Sequence, residues 1–262
     1  MIDPSARIDE RAVVDPSARI GARVEVGAFS IIDADVSLGD DCWVGPHVVL
    51  RGPTTIGARN RIFQFSSIGE APQDMKYAGE PTFLEVGEGN VFREYCTVSR
   101  GTPGGLGATR IGDGNWIMAY THIAHDCVIR NHTVFANGTS LAGHVEVHDH
   151  AILGGFTLVH QFCRIGTHSF CSMGSAVRRD VPPYVTVAGD PLAVRGVNAE
   201  GLRRRGFENG AITAIRRAYK LVFRSNLLLE EALGEVDKTL RGYPELHSFT
   251  KFIRASERGI VR

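Results

Sequence analysis

Four histidines, His122, His125, His144 and His160, crowd into one stretch of this 262-residue chain. A neutral imidazole takes a proton from an alcohol near pH 7. A neighbouring carboxylate, here Asp126, can orient such a ring and stabilise the imidazolium that forms. Gly143 lacks a side chain and can present its N–H to the oxyanion of a tetrahedral intermediate. This set fits acyl transfer to a hydroxyl, with the acceptor oxygen attacking directly and no serine or cysteine nucleophile. Five cysteines, odd in number and without a CxxC pair, point to a reduced cytoplasmic protein with no cysteine zinc site.

These residues act together only if the fold brings them together, and a repeat supplies the means. From Ile8 every sixth residue is aliphatic through Val14, Ile20 and onward to Ile68. The phase resumes at Val86, Phe92 and Val98, shifts once, and runs from Ile111 to Val177. A helix would space its apolar residues by three and four and a strand by two, so a period of six fits neither. It fits short extended segments separated by bends, wound into a prism with an apolar inner corner, three hexads to a coil. Residues 18 apart then stack at the inter-strand distance of roughly 4.8 Å. That register sets His125 against Gly143 and then Gln161, Asp126 against His144, and His122 against Ser140. Glycines such as Gly21, Gly39 and Gly57 follow the aliphatic position, where small residues relieve crowding and permit unusual φ and ψ.

The expected fold class is therefore an all-β solenoid, a hexapeptide parallel β-helix over residues 1–190, with a small helical domain over 191–262. Residues 70–85 leave the phase intact, as a loop thrown out from one corner would. Residues 99–110 are glycine-rich and shift it, as a mobile loop would. The prolines of Arg179–Tyr184 end the ladder near Val177, because proline brings no N–H. Helical spacing follows in Ile212–Phe223 and Leu229–Leu240, and a third helix is expected with Ser248 as N-cap.

Overall charge is balanced, 29 basic against 29 acidic residues, so nothing draws the chain to nucleic acid. Residues 200–262 nevertheless hold 13 Lys and Arg against 8 Asp and Glu. No apolar run is long enough for a transmembrane helix, and the first residues lack the features of a signal peptide.

Several segments resemble the UDP-N-acetylglucosamine O-acyltransferases, which perform the first step of lipid A biosynthesis. They are Gln64–Glu70, Pro72–Thr82, His122–Cys127, Val159–Cys163 and Gly196–Phe207. The resemblance spans essentially the whole chain and implies a left-handed winding and a homotrimer with sites between prisms. It implies a 3-hydroxyacyl group carried on acyl carrier protein as donor, UDP-N-acetylglucosamine as acceptor, and no cofactor or metal. By the same resemblance His125 is the general base, Asp126 supports it, and Gly143 supplies the oxyanion N–H. Asp74 and Lys76 contact the sugar nucleotide and the acyl region, while His122, His144, His160 and Gln161 position sugar, pyrophosphate or acyl chain. Asn198, Glu200, Arg204 and Arg205 hold the nucleotide end. Asn198 also reads as a helix N-cap, and Arg203–Arg205 as a solvated face.

The basic surplus of the C-terminal part suits an acidic carrier protein, with Arg216, Arg217 and Lys220 as contacts. Met173 stands where relatives that take long acyl chains have glycine. Its volume would shorten the chain accepted to near ten carbons. Asp190-Pro191 replaces the Asn and His of some relatives, which leaves no nucleotide contact expected there. The rival chemistry is that of a zinc lyase resembling the γ-class carbonic anhydrases, with three histidines shared across a subunit interface. Neither the Pro72–Thr82 loop nor the Asn198–Gly206 segment has a purpose in that scheme.

Overall fold

In the computed structural model, which describes residues 1–262, short strands recur at each hexad and stack into three parallel sheets of 11, 9 and 8 strands. The first sheet begins with Arg7–Ile8, the second with Val13–Val14 and the third with Arg19–Ile20. The chain visits the three faces in turn, a left-handed parallel β-helix. Partners are 18 residues apart, as in Arg7 with Glu25 or His122 with Ser140. Across the first loop the offset becomes 30, as in Arg61 with Val91, a multiple of six that preserves the phase. Across the second it is 25, as in Thr97 with His122, which accounts for the shift. The flanking strands end at Glu70 and Ser99 and restart at Phe83 and Ala108, leaving 71–82 and 100–107 irregular.

The sixth-position residues form one continuous buried column set, from Ile20 through Phe92, Ile117 and Phe135 to Val177. Ile8 and Val14, on the open first coil, are only half-buried. Most of the glycines beside the column answer crowding, while Gly69 takes a positive φ of 86°. A Cβ on Gly39 would sit 2.6 Å from the Ala58 nitrogen of the next coil, yet its φ is not positive. The left-handed turn position falls instead to larger residues, among them Phe29, His47, Phe65, Tyr95 and Tyr120. Their rings stack up one corner at 4.8–5.3 Å.

Two expectations are corrected here. The Pro182-Pro183 segment does not stop the solenoid: the Val181 N–H still donates to the Arg164 carbonyl. Strand Val185–Ala188 then extends the first sheet over Phe170–Cys171 and is closed by antiparallel Ala193–Val197. The prolines lie in the turn, where no ladder donor is needed. Nor does Ser248 cap the last helix. The helices are α1 (Ala199–Arg204), α2 (Asn209–Arg224), α3 (Leu229–Thr239) and α4 (Pro244–Arg254). Proline suits the first position of α4, because its N–H is not required and its φ is already helical.

The helices share a second core containing Leu202, Ile215, Ala218, Leu233 and Phe249, and Tyr184 of the prism enters it. A buried carboxylate fastens the two parts. Asp180 accepts from the Arg164 N–H (2.8 Å) and the Ser256 hydroxyl (2.7 Å), and its backbone pairs with Gly259 and Val261. Burial raises the pKa of this carboxyl. No helix is long and apolar enough to cross a membrane.

Because each coil seals the next, truncations deep in the column cost more than at its end. Ile117→Ala is expected to destabilise the fold by about 2–5 kcal/mol, and Ile8→Ala by clearly less. Denaturant midpoints of the two variants against the parent test this ordering.

Candidate active site

At the corner between the second and third sheets the chain turns at His125-Asp126, Gly143-His144 and Gln161-Phe162, one pair per coil. The second residue of each pair is left-handed, with φ of 59°, 62° and 64° for Asp126, His144 and Phe162. Two columns result. In one, His144 stacks on Phe162 at 4.5 Å, and its Nε2 stands 3.9 Å from Asp126 Oδ2. In the other, the His125 ring lies directly over Gly143. A Cβ there would meet His125 Cε1 at 2.5 Å and Nε2 at 2.8 Å, so only glycine leaves the imidazole in place.

His125 Nδ1 lies 2.8 Å from Asp126 Oδ2. Asp126 is fully buried, which on its own raises a carboxyl pKa. Hydrogen bonds from Thr102, His125 and Leu106 outweigh that burial and hold the group below the usual carboxylate range. An ionised carboxylate only accepts, so His125 Nδ1–H is the donor, and in the neutral ring the free lone pair is on Nε2, on the side of Gly143. The Gly143 N–H has no acceptor within the chain. The same holds for the first turn residue of other coils on this corner, among them Ala34, His125 and Gln161.

The glycine-rich loop folds back as a clamp on Asp126. The Thr102 N–H reaches both carboxylate oxygens at 3.1 Å, its hydroxyl donates to Oδ2 at 2.6 Å, and the Leu106 N–H donates to Oδ1 at 2.8 Å. A Cβ on Gly105 would sit 2.5 Å from the carboxylate, which explains the small residues there. Thr102, Gly105 and Leu106 are absent from the sequence-derived set, and the glycine run was their one signal. Arg100 joins this loop to the first, donating to the Gly52 and Gly69 carbonyls (2.7 Å each) and toward the Tyr77 hydroxyl.

The other candidates fall into three groups. Asp74 lies in the first loop, bonded to the Lys76 N–H at 2.9 Å, and its charge is felt at His144. Lys76 itself is exposed. His122 and His160 face a groove of about 410 Å³ on the second sheet, together with Ala142, Leu158 and Arg178. His122 Nδ1 meets the Thr97 hydroxyl at 2.7 Å, and His160 Nδ1 donates to the Gln161 carbonyl at 3.1 Å. Burial lowers the pKa of His122 and of His144, so both are neutral at pH 7. Met173 sits exposed at the corner between the first and second sheets, one coil beyond Gly155.

Asn198, Glu200, Arg204 and Arg205 are not with His125 in one chain. They belong to α1, beside the corner between the third and first sheets. Asn198 is the N-cap of α1, accepting from the Gly201 N–H and donating to the His168 carbonyl. Glu200 pairs with Arg203 and Arg204, and Arg205 reaches His150.

His125, Asp126 and His144 also bring three potential metal-binding atoms within 4.8 Å of one another. The donor set argues against that use. Both oxygens of Asp126 are already engaged by Thr102, Leu106 and His125, leaving no lone pair directed at an ion. The arrangement suits proton transfer at His125 Nε2 next to an unpartnered N–H donor.

Comparison with known proteins agrees with that chemistry. Residues 180–261 match the family model described as Udp N-acetylglucosamine O-acyltransferase, Domain 2, and residues 108–143 match the bacterial transferase hexapeptide family. The chain is 53% identical to the acyl-[acyl-carrier-protein]–UDP-N-acetylglucosamine O-acyltransferase of Stutzerimonas stutzeri, over 86% of this chain and 94% of that protein. It is 56% identical to the protein of the same name from Alkalilimnicola ehrlichii, over 76% and 77% respectively. The crystal structure of LpxA from Acinetobacter baumannii is similar with a TM-score of 0.95 and 43% identity, covering 97% of this chain and 99% of that one. A UDP-N-acetylglucosamine acyltransferase from Bacteroides fragilis gives 0.95 at 38% identity over the full length of both.

Removing the shortest clamp bond is expected to raise the Asp126 pKa toward the ordinary carboxyl value. Carboxyl ¹³C NMR titration of Thr102→Val reads this directly. An unchanged pKa would mean that Thr102 is not what holds the group ionised.

Proposed function

This chain belongs to the UDP-N-acetylglucosamine O-acyltransferase family, and we propose that it moves a 3-hydroxyacyl group from an acyl carrier protein thioester to the 3-hydroxyl of UDP-N-acetylglucosamine with His125 as general base. The observation carrying this reading is the His125–Asp126 hydrogen bond, which leaves Nε2 free beside the Gly143 N–H. His125 Nε2 takes the proton of the acceptor hydroxyl as its oxygen attacks the thioester carbonyl. The oxyanion accepts from Gly143, and Asp126 stabilises the imidazolium. Collapse breaks the C–S bond, and the departing thiolate recovers the proton from His125. Atoms and charge balance without a cofactor.

His122, His144, His160 and Gln161 line the approach to that corner and would position the sugar, pyrophosphate and acyl chain. Asp74 and Lys76 would reach in from the first loop. Asn198, Glu200, Arg204 and Arg205 would hold the nucleotide. Their distance from His125 within one chain supports a site completed by a neighbouring prism in a homotrimer. Exposed Val13, Ile31 and Leu158 on the second sheet give such packing an apolar face. Arg216, Arg217 and Lys220 of α2 surround a shallow cleft with Thr213 and Tyr219 and would meet the acidic carrier protein. Met173 would limit the acyl chain to near ten carbons.

Two measurements test this. Product mass spectrometry with a ladder of 3-hydroxyacyl carrier proteins should give one acylated sugar nucleotide. His125→Ala should lose about 10²–10⁴-fold in rate, and product forming at the parental rate would remove His125 from the role of base. In the same assay Met173→Gly should move the preferred donor to a longer chain, and an unmoved preference would end the ruler assignment.

A further inference from the structure

Arg205 has an unusual partner. Its Nη1 lies 2.6 Å from His150 Nδ1, bridging α1 and the corner between the third and first sheets. A guanidinium has no lone pair to offer, so Nδ1 of His150 must be unprotonated and accept. The His150 ring is itself held in a column, stacked on His132 at 5.2 Å and on His168 at 4.7 Å, with Tyr184 and Phe207 closing the far end.

We infer that His150 is a positioning residue, a proton-sensitive latch that fixes the Arg205 guanidinium for the nucleotide. This rests on the reading of Arg205 as a nucleotide contact. An arginine on the short helix α1 has many rotamers, and holding one of them removes an entropy cost that ligand binding would otherwise carry. The groups facing His150 are Arg205 from α1 and His132, His168 and Asp149 from the prism. Burial comes first in lowering its pKa, helped by Arg205 and His132 and opposed by Asp149 alone. The ring is therefore neutral at pH 7 and the latch closed. As pH falls through that lowered pKa, Nδ1 gains a proton and becomes a donor facing a cation. The bond is then lost and Arg205 is released.

Two substitutions separate the acceptor from the ring. His150→Phe keeps the stack and removes the acceptor, and phenylalanine already occupies the same left-handed turn position at Phe156 and Phe162. His150→Asn keeps an acceptor oxygen close to the Nδ1 position, tolerates positive φ, and does not titrate. The measurement is the Kd of UDP-N-acetylglucosamine by calorimetry from pH 8 to pH 5, on the full-length protein, with Arg205→Ala and the His150→Phe/Arg205→Ala double variant alongside.

The expected result is a Kd about tenfold weaker for His150→Phe at pH 7.5, the scale of one lost charge-assisted hydrogen bond. The double variant should be no weaker than Arg205→Ala. Parental Kd should weaken on acidification, whereas His150→Asn should bind nearly as the parent does at pH 7.5 and hold that affinity down to pH 5.5. If Arg205→Ala weakens binding and His150→Phe does not, the latch is overturned while the nucleotide role of Arg205 stands. If Arg205→Ala binds as the parent does, the nucleotide role falls and the latch with it.

Discussion

Every feature of this molecule follows from one requirement, that each coil close directly over the last so that strand backbones pair above and below. The 18-residue return imposes it, and even the two loops obey it by re-entering at a residue that restores the pairing. Once the return is fixed, equivalent turn residues of successive coils become neighbours a strand spacing apart. The grouping around His125 is a direct product. His125 against Gly143 and Asp126 against His144 are contacts between the turns of adjacent coils, and they need no special excursion of the chain.

That is also why some of the site was legible in the sequence and some was not. The buried column was readable because burial recurs every six residues, and the His125–Gly143 pairing followed by counting. The clamp on Asp126 was not, because residues 100–107 obey no period. The phase shift reports that a loop exists but not that Thr102 and Leu106 fold back onto a carboxylate. The link between Arg205 and His150 was hidden for a related reason. It spans 55 residues between two architectures, and no local pattern predicts how a helix docks on a prism. The Pro182-Pro183 pair misled in a third way. A proline has several physical uses, and sequence alone does not say which one operates.

The docking of the helices rests on few polar contacts. Asp180 ties the last coil to the C-terminal tail at Gly259 and Val261, while Tyr184 leaves the prism and enters the helical core. With the Asn198–His168 and Arg205–His150 bonds, these anchors place α1 beside the corner carrying His168 and His150. A buried carboxyl whose pKa is raised favours its protonated form, so the joint tightens toward lower pH and is strained by ionisation. The clamped Asp126, held low, has the opposite dependence.

The unpartnered N–H groups along the corner that carries His125 have a consequence for how this fold diversifies. Ala34, His125 and Gln161 leave a backbone N–H without an acceptor in the chain as Gly143 does, whereas Pro16 at the equivalent turn has none to offer. On the role proposed for Gly143, a donor for an oxyanion is supplied by the scaffold and recurs at several rungs. What singles out one rung is a histidine stacked on a glycine, an acid beside that histidine and the loop that clamps the acid. The donor is thus in place before the histidine, the acid and its clamp, and only these have to be assembled at a new rung. It follows that solenoids of this kind are expected to reach new acyl transfers more readily than folds that must build the donor anew.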